Sequence, residues 1–551
     1  MPPIGRVPSD ESVSTKGSKI FSWPTDKKVI LYFTNWGVYA RNYQVKDIPV
    51  DYITGINYAF YDLKQNTAGN YIPTSGDTWA DTDQRFISAD KGLQPLDSWN
   101  IESSFYGNFG QLKKLLDSGK KLNIGLSIGG WTWSKNFSHA MFSDSSRADF
   151  VSTVIDLFKK YPIFNRIDID WEYISPSTVS YGEPGNVSHP DDAKNFGIFL
   201  KMMRDALNQN GMSHYEISAC TTADPKKMDA LPIKEMNMYL DTVNIMTYDF
   251  ADGNWGLKKS THQTNLYKTE YTEFSIQESV DKMISLGIPP GKIIVGVAYY
   301  SRGFSNTTGI NQPASGGSTD KSWETGIVDY KQLPLSGAVE FYDEKAGGAY
   351  SYDSTKKVLN TYDSVKSVEE KCKYIMERNL KGVIVWEASG DVDINSDRSL
   401  TKALYRGLSG LGTHTPSPIQ VPTPLPVPKP IPVPVQVPTP LPVPKPIPVP
   451  VQLPVQLPVT GSPPQWLYPM FYKKDDKVSF EGKIYKCINS HTSLDAWSPR
   501  VAYSLWSLVS QKAPDTVATT PQKECPYLND KIKTVTILGE IQIENIKFNI
   551  Q

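Results

Sequence analysis

From Val29 onward the chain alternates short, nearly unbroken apolar runs with longer stretches whose apolar residues recur every three or four positions. The runs predict strands at Val29–Thr34, Ile53–Phe60, Lys121–Ile128, Tyr215–Ala219, Thr242–Tyr248, Lys292–Tyr299 and Gly382–Trp386. A run without polar alternation is buried on both faces, as in a parallel sheet covered by helices. Helical spacing predicts helices over Gln111–Gly119, Ala148–Lys160, Asp191–Gln209, Ile276–Leu286, Ser367–Asn379 and Ser399–Leu408. The polar stretch from residue 61 to about 110 predicts a loop.

One more strand has a different pattern. In Ile167-Asp-Ile-Asp-Trp-Glu-Tyr173 three carboxylates alternate with apolar residues. A strand has a side-chain period of two, so Asp168, Asp170 and Glu172 share one face at roughly 7 Å intervals. Three desolvated acids cost several kcal/mol each unless they share protons or partners. A solvated surface strand and a hard-cation site compete with a catalytic reading. The cation site needs further oxygen ligands on nearby loops, and none stands out, so neither metal nor cofactor is expected. Eight strands alternating with helices predict an α/β protein, a (β/α)8 barrel, with active groups at the C-terminal strand ends. Glu172, Gly129-Gly130-Trp131, Tyr248-Asp249, Tyr300 and Trp386-Glu387 all fall at such ends.

Composition narrows the classes. A formal charge of −1 on 551 residues provides no global field for nucleic acid or an anionic membrane. No run of 18 apolar residues predicts a membrane span, and Met1 to Lys19 carries no apolar signal core. Thirteen Trp and 30 Tyr without basic clusters favour stacking on sugars over nucleic-acid binding. The four cysteines show no metal-ligand spacing; Cys487 and Cys525 could pair in an oxidising compartment.

Past Gly412 the pattern breaks. Val421–Gln436 (VPTPLPVPKPIPVPVQ) is repeated letter for letter at Val437–Gln452. Proline at nearly every second position excludes helix and sheet and favours a polyproline II spacer, on the order of 100 Å long at ~3.1 Å per residue. A ligand for proline-recognition domains is the rival reading. The predicted organisation is a polar extension (1–26), the barrel (27–411), the linker (412–464), a small module (465–509) and a tail (510–551). An alternating stretch in the tail, Ile532 to Ile550, could form a hairpin.

Asn165–Glu172 resembles the DxxDxDxE signature of glycoside hydrolase family 18 chitinases, and Ser127-Ile-Gly-Gly130 resembles the family's SxGG strand. Met246-Thr-Tyr-Asp249, Tyr300-Ser-Arg-Gly303, Val385-Trp-Glu387 and the aromatic opening Asn35-Trp36-Gly-Val-Tyr39 also match, in the family's order and in the manner of bacterial exochitinase-like members. Asn165 and Arg166 depart from the signature's Asp and Gly, at the start of the strand, where a structural role and a cost in barrel-bottom stability are expected. The resemblance implies hydrolysis of β-1,4-linked N-acetylglucosamine polymer by a retaining, substrate-assisted route. Glu172 would be the acid/base, Asp170 would orient the substrate's acetamido group and Asp168 would share a proton with Asp170. Tyr248 would position the acetamido oxygen; Met246, Asp249, Tyr300 and Arg302 would shape the pocket. Trp386 would floor the −1 sugar, and Trp131 and Trp255 would flank further subsites. It also implies an α+β insertion at about 304–362.

Residues 465–509 resemble carbohydrate-binding modules of families 5 and 12, with Trp497 as the expected stacking residue and Trp506 and Tyr485 as core. Chitin and chitooligosaccharides are the implied partners, and an extracellular site of action the implied location. The apparent lack of a leader also fits leaderless chitinases that are subunits of toxin complexes. A silent chitin-binding lectin and an endo-β-N-acetylglucosaminidase are the alternatives.

Overall fold

The structure, a computed structural model, describes residues 25–98, 105–410, 463–467, 470–488, 491–492, 499 and 506–510. The first part contains, in chain order, β1 (Lys28–Thr34), β2 (Gly55–Gln65), β3 (Tyr71–Ser75), α1 (Gly107–Asp117), β4 (Asn123–Gly129), α2 (Phe137–Phe142) and α3 (Asp144–Lys160). There follow β5 (Arg166–Asp170), α4 (Asp192–Gln209), β6 (Glu216–Thr221), α5 (Ile233–Tyr239), β7 (Thr242–Ile245), α6 (Ile276–Leu286) and β8 (Ile293–Ala298). Next come β9 (Tyr300–Phe304), β10 (Ile327–Asp329), β11 (Val339–Asp343), β12 (Gly348–Asp353) and β13 (Val358–Tyr362). The unit closes with α7 (Val365–Glu377), β14 (Gly382–Trp386) and α8 (Leu400–Leu408).

Eight of these strands pair in parallel in the order β1-β14-β8-β7-β6-β5-β4-β2, and β2 returns to β1. The sheet is a closed barrel, as the count of eight strands alternating with helices suggested. Outward residues such as Ile167, Ile169, Val243 and Val295 pack under the helices in one large core, while Ile30, Tyr32, Cys220, Ile294 and Ile384 fill the lumen.

The stretch after residue 60 is not the loop its polarity suggested. β2 runs on to Gln65 and pairs with antiparallel β3. β3 is an edge strand, so Pro73 costs it no ladder bond toward a further neighbour. α2 and α5, too short for a clear period, were also missed.

The departure from the signature is accommodated rather than tolerated. Arg166 is 1% exposed at the lower end of the barrel. Its Nη2 donates to Ile56 O (2.9 Å) and Asn57 Oδ1 (2.8 Å), and its Nη1 pairs with Glu216 (3.2 Å), which also meets Lys28. Gly125 leaves the room: a Cβ there would lie 2.7 Å from Arg166 Nε. Asn165 Oδ1 accepts the Ile124 amide at 3.0 Å, tying β5 to β4.

The insertion was expected as α+β from about residue 304. It is an antiparallel sheet, β10-β9-β13-β12-β11, that begins at Tyr300, and its helical content is the 3-10 turn Tyr330–Gln332.

The chain divides into two compact units after Pro422. In the second, β15 (Phe471–Tyr472), β16 (Lys477–Phe480), β17 (Lys483–Cys487), β18 (His491–Thr492) and β19 (Trp506–Ser510) are described, and β16-β17-β19 form an antiparallel sheet. Tyr485 and Trp506 lie in its core with Trp466, Tyr472 and Val478, as expected. Trp497, Cys525, the proline-rich repeat and Ile532–Ile550 lie outside the described residues.

Candidate active site

β5 stops at Asp170, so the acidic row is two strand residues followed by Glu172 on the segment that leaves the barrel. All three acids are buried: Asp168 is 0%, Asp170 3% and Glu172 9% exposed. Their surroundings differ, and the differences set their chemistry.

Asp168 is saturated. It accepts from Tyr32 Oη (2.7 Å) and Ser127 Oγ (2.8 Å) on one oxygen, and from Ser218 Oγ (2.5 Å) and Asn244 Nδ2 (3.1 Å) on the other. A carboxylate offers about four acceptor sites, and these donors, from β1, β4, β6 and β7, fill them. The register places Ser127 and Ser218 directly beside Asp168 on the neighbouring strands. Asp170 has the opposite character. Its Oδ1 is buried without a hydrogen-bond partner, and burial, then Glu172, then Asp168 push its carboxyl well above the carboxylate range. Glu172 is pushed up to about 7, chiefly by burial, with Asp249 adding to it and Tyr173 opposing. Its backbone is fixed: the amide donates to Ser134 Oγ (2.8 Å) and the carbonyl accepts from Asn186 Nδ2 (3.0 Å).

Gly129 and Gly130 form the turn that leaves room for this row. Both have positive φ (108° and 80°), and a Cβ would lie 2.3 Å from Asp170 O at Gly129 and 2.6 Å from the Phe60 ring at Gly130. β7 likewise ends early, at Ile245, so Met246, Tyr248 and Asp249 lie on the segment beyond it. Tyr248 packs edge-on to Tyr300 at 6.3 Å, over Gly296, whose missing side chain makes space for the ring. Burial, then Tyr300, holds the Tyr248 phenol well above its usual range, so it remains a donor. Asp249 is clamped: Arg302 binds both its oxygens (2.7 Å each) and Tyr300 Oη donates to it (2.7 Å). Arg302 reaches Asp252 as well, at 3.0 Å.

Trp386, at the end of β14, stacks on Phe60 (5.6 Å, 18°) and touches Tyr32 (5.5 Å) and Trp36 (6.4 Å). With Met246 and Tyr248 it belongs to the lumen's upper cluster. Trp131 is 47% exposed and meets the Tyr173 ring at 6.5 Å; Trp255 is 54% exposed, with the Arg302 guanidinium 5.3 Å from its ring. At the C-terminal end of the barrel Met246, Tyr248 and Trp386 share one cluster, and Asp249, Tyr300 and Arg302 are bonded together; Asp168 lies fully buried below, while Trp131 and Trp255 are reached only through Tyr173 and Arg302. Tyr32, Ser218, Cys220, Asn244 and Phe60 were not foreseen. The signal for Tyr32, Ser218 and Asn244 was a polar-bearing residue flanked on both sides by apolar ones within a buried strand. Among the described residues no group of His, Cys, Asp and Glu is arranged to hold a metal ion.

The family Glycosyl hydrolases family 18 matches residues 28–391, and Carbohydrate-binding module family 5/12 matches residues 465–507. The chain is 36% identical over 373 residues to Endochitinase 1 of Metarhizium robertsii, covering 66% of this chain and 81% of that one. It is 34% identical over 388 residues to Chitinase 1 of Aphanocladium album, covering 69% and 84%. The catalytic domain of a psychrophilic chitinase B from Arthrobacter TAD20 superimposes with a TM-score of 0.62 at 30% identity, over 70% of this chain and 95% of that one. With its closed parallel barrel, acidic row and double-glycine turn, the chain belongs to family 18 of the glycosyl hydrolases.

Proposed function

We propose that the protein is an extracellular chitinase that cleaves β-1,4 bonds between N-acetylglucosamine units with retention, using the substrate's own acetamido oxygen as nucleophile. The observation that supports this most is the state of the carboxylates. A retaining glycosidase needs an acid and, in the ordinary case, a second carboxylate about 5 Å away as nucleophile. Glu172, held at about 7, suits the acid/base. None of its neighbours suits the nucleophile: the oxygens of Asp168 are taken by four donors, the Asp170 carboxyl is pushed well above the carboxylate range by burial and its acidic neighbours, and Asp249 is locked to Arg302. The attacking group is then supplied by the sugar, and the family includes substrate-assisted members.

In this mechanism Asp170 uses its open Oδ1 to hold the acetamido N–H, which aims the acetamido oxygen at the anomeric carbon, while the Tyr248 hydroxyl donates to that oxygen. Glu172 gives its proton to the leaving oxygen and then takes one from the water that opens the oxazolinium ion. Asp168 is a fixed anchor below Asp170, held by donors from four strands. Trp386 floors the reacting sugar, and Trp131 and Trp255 flank its neighbours. The small module, with Trp497, holds the insoluble polymer.

The test is hydrolysis of chitin oligomers and insoluble chitin by the wild type beside Glu172→Gln. Products initially rich in the β anomer, with a variant that binds without cleaving, support the reading. Products of the α anomer, or a wild type that binds and cleaves nothing, would sink it.

A further inference from the structure

The loop between β7 and α6 carries six consecutive polar residues, Ser260-Thr-His-Gln-Thr-Asn265, and none is more than 3% exposed. Polar groups taken out of water cost free energy unless they find partners. Most of this strip serves the fold: Thr261 Oγ1 donates to Tyr271 O in the same loop (2.6 Å), His262 Nε2 meets Asp343 on β11 (3.2 Å), and Asn265 Nδ2 donates to Tyr267 O (2.8 Å) and Phe274 O (2.9 Å). Gln263, 0% exposed, turns to other partners. Its Nε2 donates to Tyr300 O (2.9 Å) and its Oε1 accepts the Asp249 amide (3.2 Å), while its carbonyl accepts the Phe250 amide (3.0 Å).

Asp249 and Tyr300 both belong to the site. Asp249 has φ 57°, a left-handed conformation that a residue with a Cβ enters at a cost and keeps only where its surroundings hold it. Gln263 supplies that hold by taking two successive amides, those of Asp249 and Phe250. The other end of its side chain holds the backbone of Tyr300, whose hydroxyl donates to the Asp249 carboxylate. One side chain thus bridges the main chain of two segments whose own side chains meet in the clamp with Arg302. A carboxamide suits this bridge because it offers a donor at one end and an acceptor at the other. The clamp faces the acid. Glu172 interacts electrostatically with Asp170, Tyr173, Cys220, Tyr248, Asp249 and Tyr300, and of these Asp249 is the carboxylate whose place Gln263 fixes.

We propose that Gln263 is a positioning residue for the acid/base step: its carboxamide sets the spacing of the Asp249 and Tyr300 segments, and so holds the Asp249 carboxylate where it acts on Glu172. Gln263 itself does not reach the sugar. This rests on the chitinase reading and deepens it.

The experiment compares the full-length wild type with Gln263→Met, similar in length but without the carboxamide, by kinetics on the soluble N-acetylglucosamine tetramer across the pH range. Misplacing a group by about 1 Å costs up to about 100-fold, so kcat is expected to fall about 10- to 100-fold with KM changed little. The basic limb of kcat/KM is expected to move below about 7, because the Asp249 charge that raises Glu172 loses its fixed place. Asp249→Asn already removes that charge, so adding Gln263→Met to it is expected to move the limb no further. Thr261→Val, which cuts a bond from the same strip to its own loop, is expected to change neither kcat nor the limb. Gln263→Glu at pH 5, where a protonated carboxyl again offers a donor and an acceptor, is expected to recover most of the kcat. If Gln263→Met does not fold, Gln263→Asn, one methylene shorter, takes its place in the same measurements. An unchanged kcat and limb in the position-263 variant overturn the proposal. So does a loss matched by Thr261→Val, a limb that moves again in the Asp249→Asn background, or a Glu variant as weak as Met at pH 5. A wild type that cleaves no oligomer removes the chitinase reading and this inference with it. An active wild type that is indifferent to residue 263 removes the inference alone.

Discussion

Replacing Glu216 by glutamine isolates the ion cluster at the lower end of the barrel. Arg166 stays charged at any accessible pH, and at 1% exposure it cannot turn to water. The substitution leaves it with the neutral acceptors Asn57 Oδ1 and Ile56 O and leaves Lys28 without its counterion. Breaking a buried pair costs about 3–5 kcal/mol. The Glu216 side chain is 26% exposed, so water offsets part of that and about 2–3 kcal/mol is the expected loss. With an unfolding entropy near 2 cal/mol/K per residue, a barrel of this length loses only about 3 °C in Tm. Burial pushes Glu216 up, but Arg166 and Lys28 outweigh it and hold the carboxyl below its usual value of 4.5. A depressed carboxyl contributes stability above its unfolded pKa and loses it as pH falls, so the gap between wild type and variant is largest near pH 7 and narrows below about 4. Melting curves at both pH values, with hydrolysis measured at 25 °C, make the assay. Activity at 25 °C is expected unchanged, because the cluster and the cleft occupy opposite ends of the barrel. The double change Arg166→Met, Glu216→Gln is expected to recover at least half the loss, since it removes the buried charge. A single variant as stable as wild type, or a double variant weaker than the single, refutes this account.

Glu172→Gln is expected to lower kcat about 10²–10⁴-fold and yet to raise Tm at pH 8 more than at pH 5. The folded pKa of Glu172 lies above its unfolded 4.5, so ionisation opposes folding increasingly from about 4.5 to 7. The same protonation sets the basic limb of kcat/KM, which falls as pH rises through about 7; a limb that stays flat to pH 9 excludes Glu172 as the proton donor. Gly130→Ala forces a Cβ against Phe60, 2.6 Å away, and a side chain into φ 80°, so about 1–3 kcal/mol of stability and a several-fold rise in KM are expected, read by melting and oligomer kinetics. Truncation after residue 410 is expected to leave hydrolysis of soluble oligomers within about twofold and to reduce retention on insoluble chitin in a pull-down assay.

The barrel was legible because its strands are apolar on both faces, a pattern that few other elements share, and because the helices between them keep a clear period. Strand ends were not. β5 and β7 each stop three residues before the pattern suggested, so the alternation that put Asp168 and Asp170 on one face did not carry Glu172 to its place. β3 was hidden by Pro73 and by polar neighbours, both tolerable on an edge. Nothing local marked Arg166 as buried: its acceptors, Asn57, Ile56 and Glu216, come from other strands, and its space is made by Gly125 on yet another. The acids themselves were easy to find, but their different roles depend on donors scattered from Tyr32 to Asn244.

That distribution of donors has a consequence for what the protein can become. Asp168 joins β1, β4, β5, β6 and β7 across the lumen, so its loss would loosen the walls of the barrel along with the site. Glu172 joins nothing comparable through its side chain, and its ionisation above about pH 7 works against the fold. Catalysis and architecture therefore rest on different members of one acidic row. A single substitution at the outermost acid would silence the enzyme, leave its cleft shaped for the same sugar chain and firm the fold, so a descendant that only binds lies one codon away.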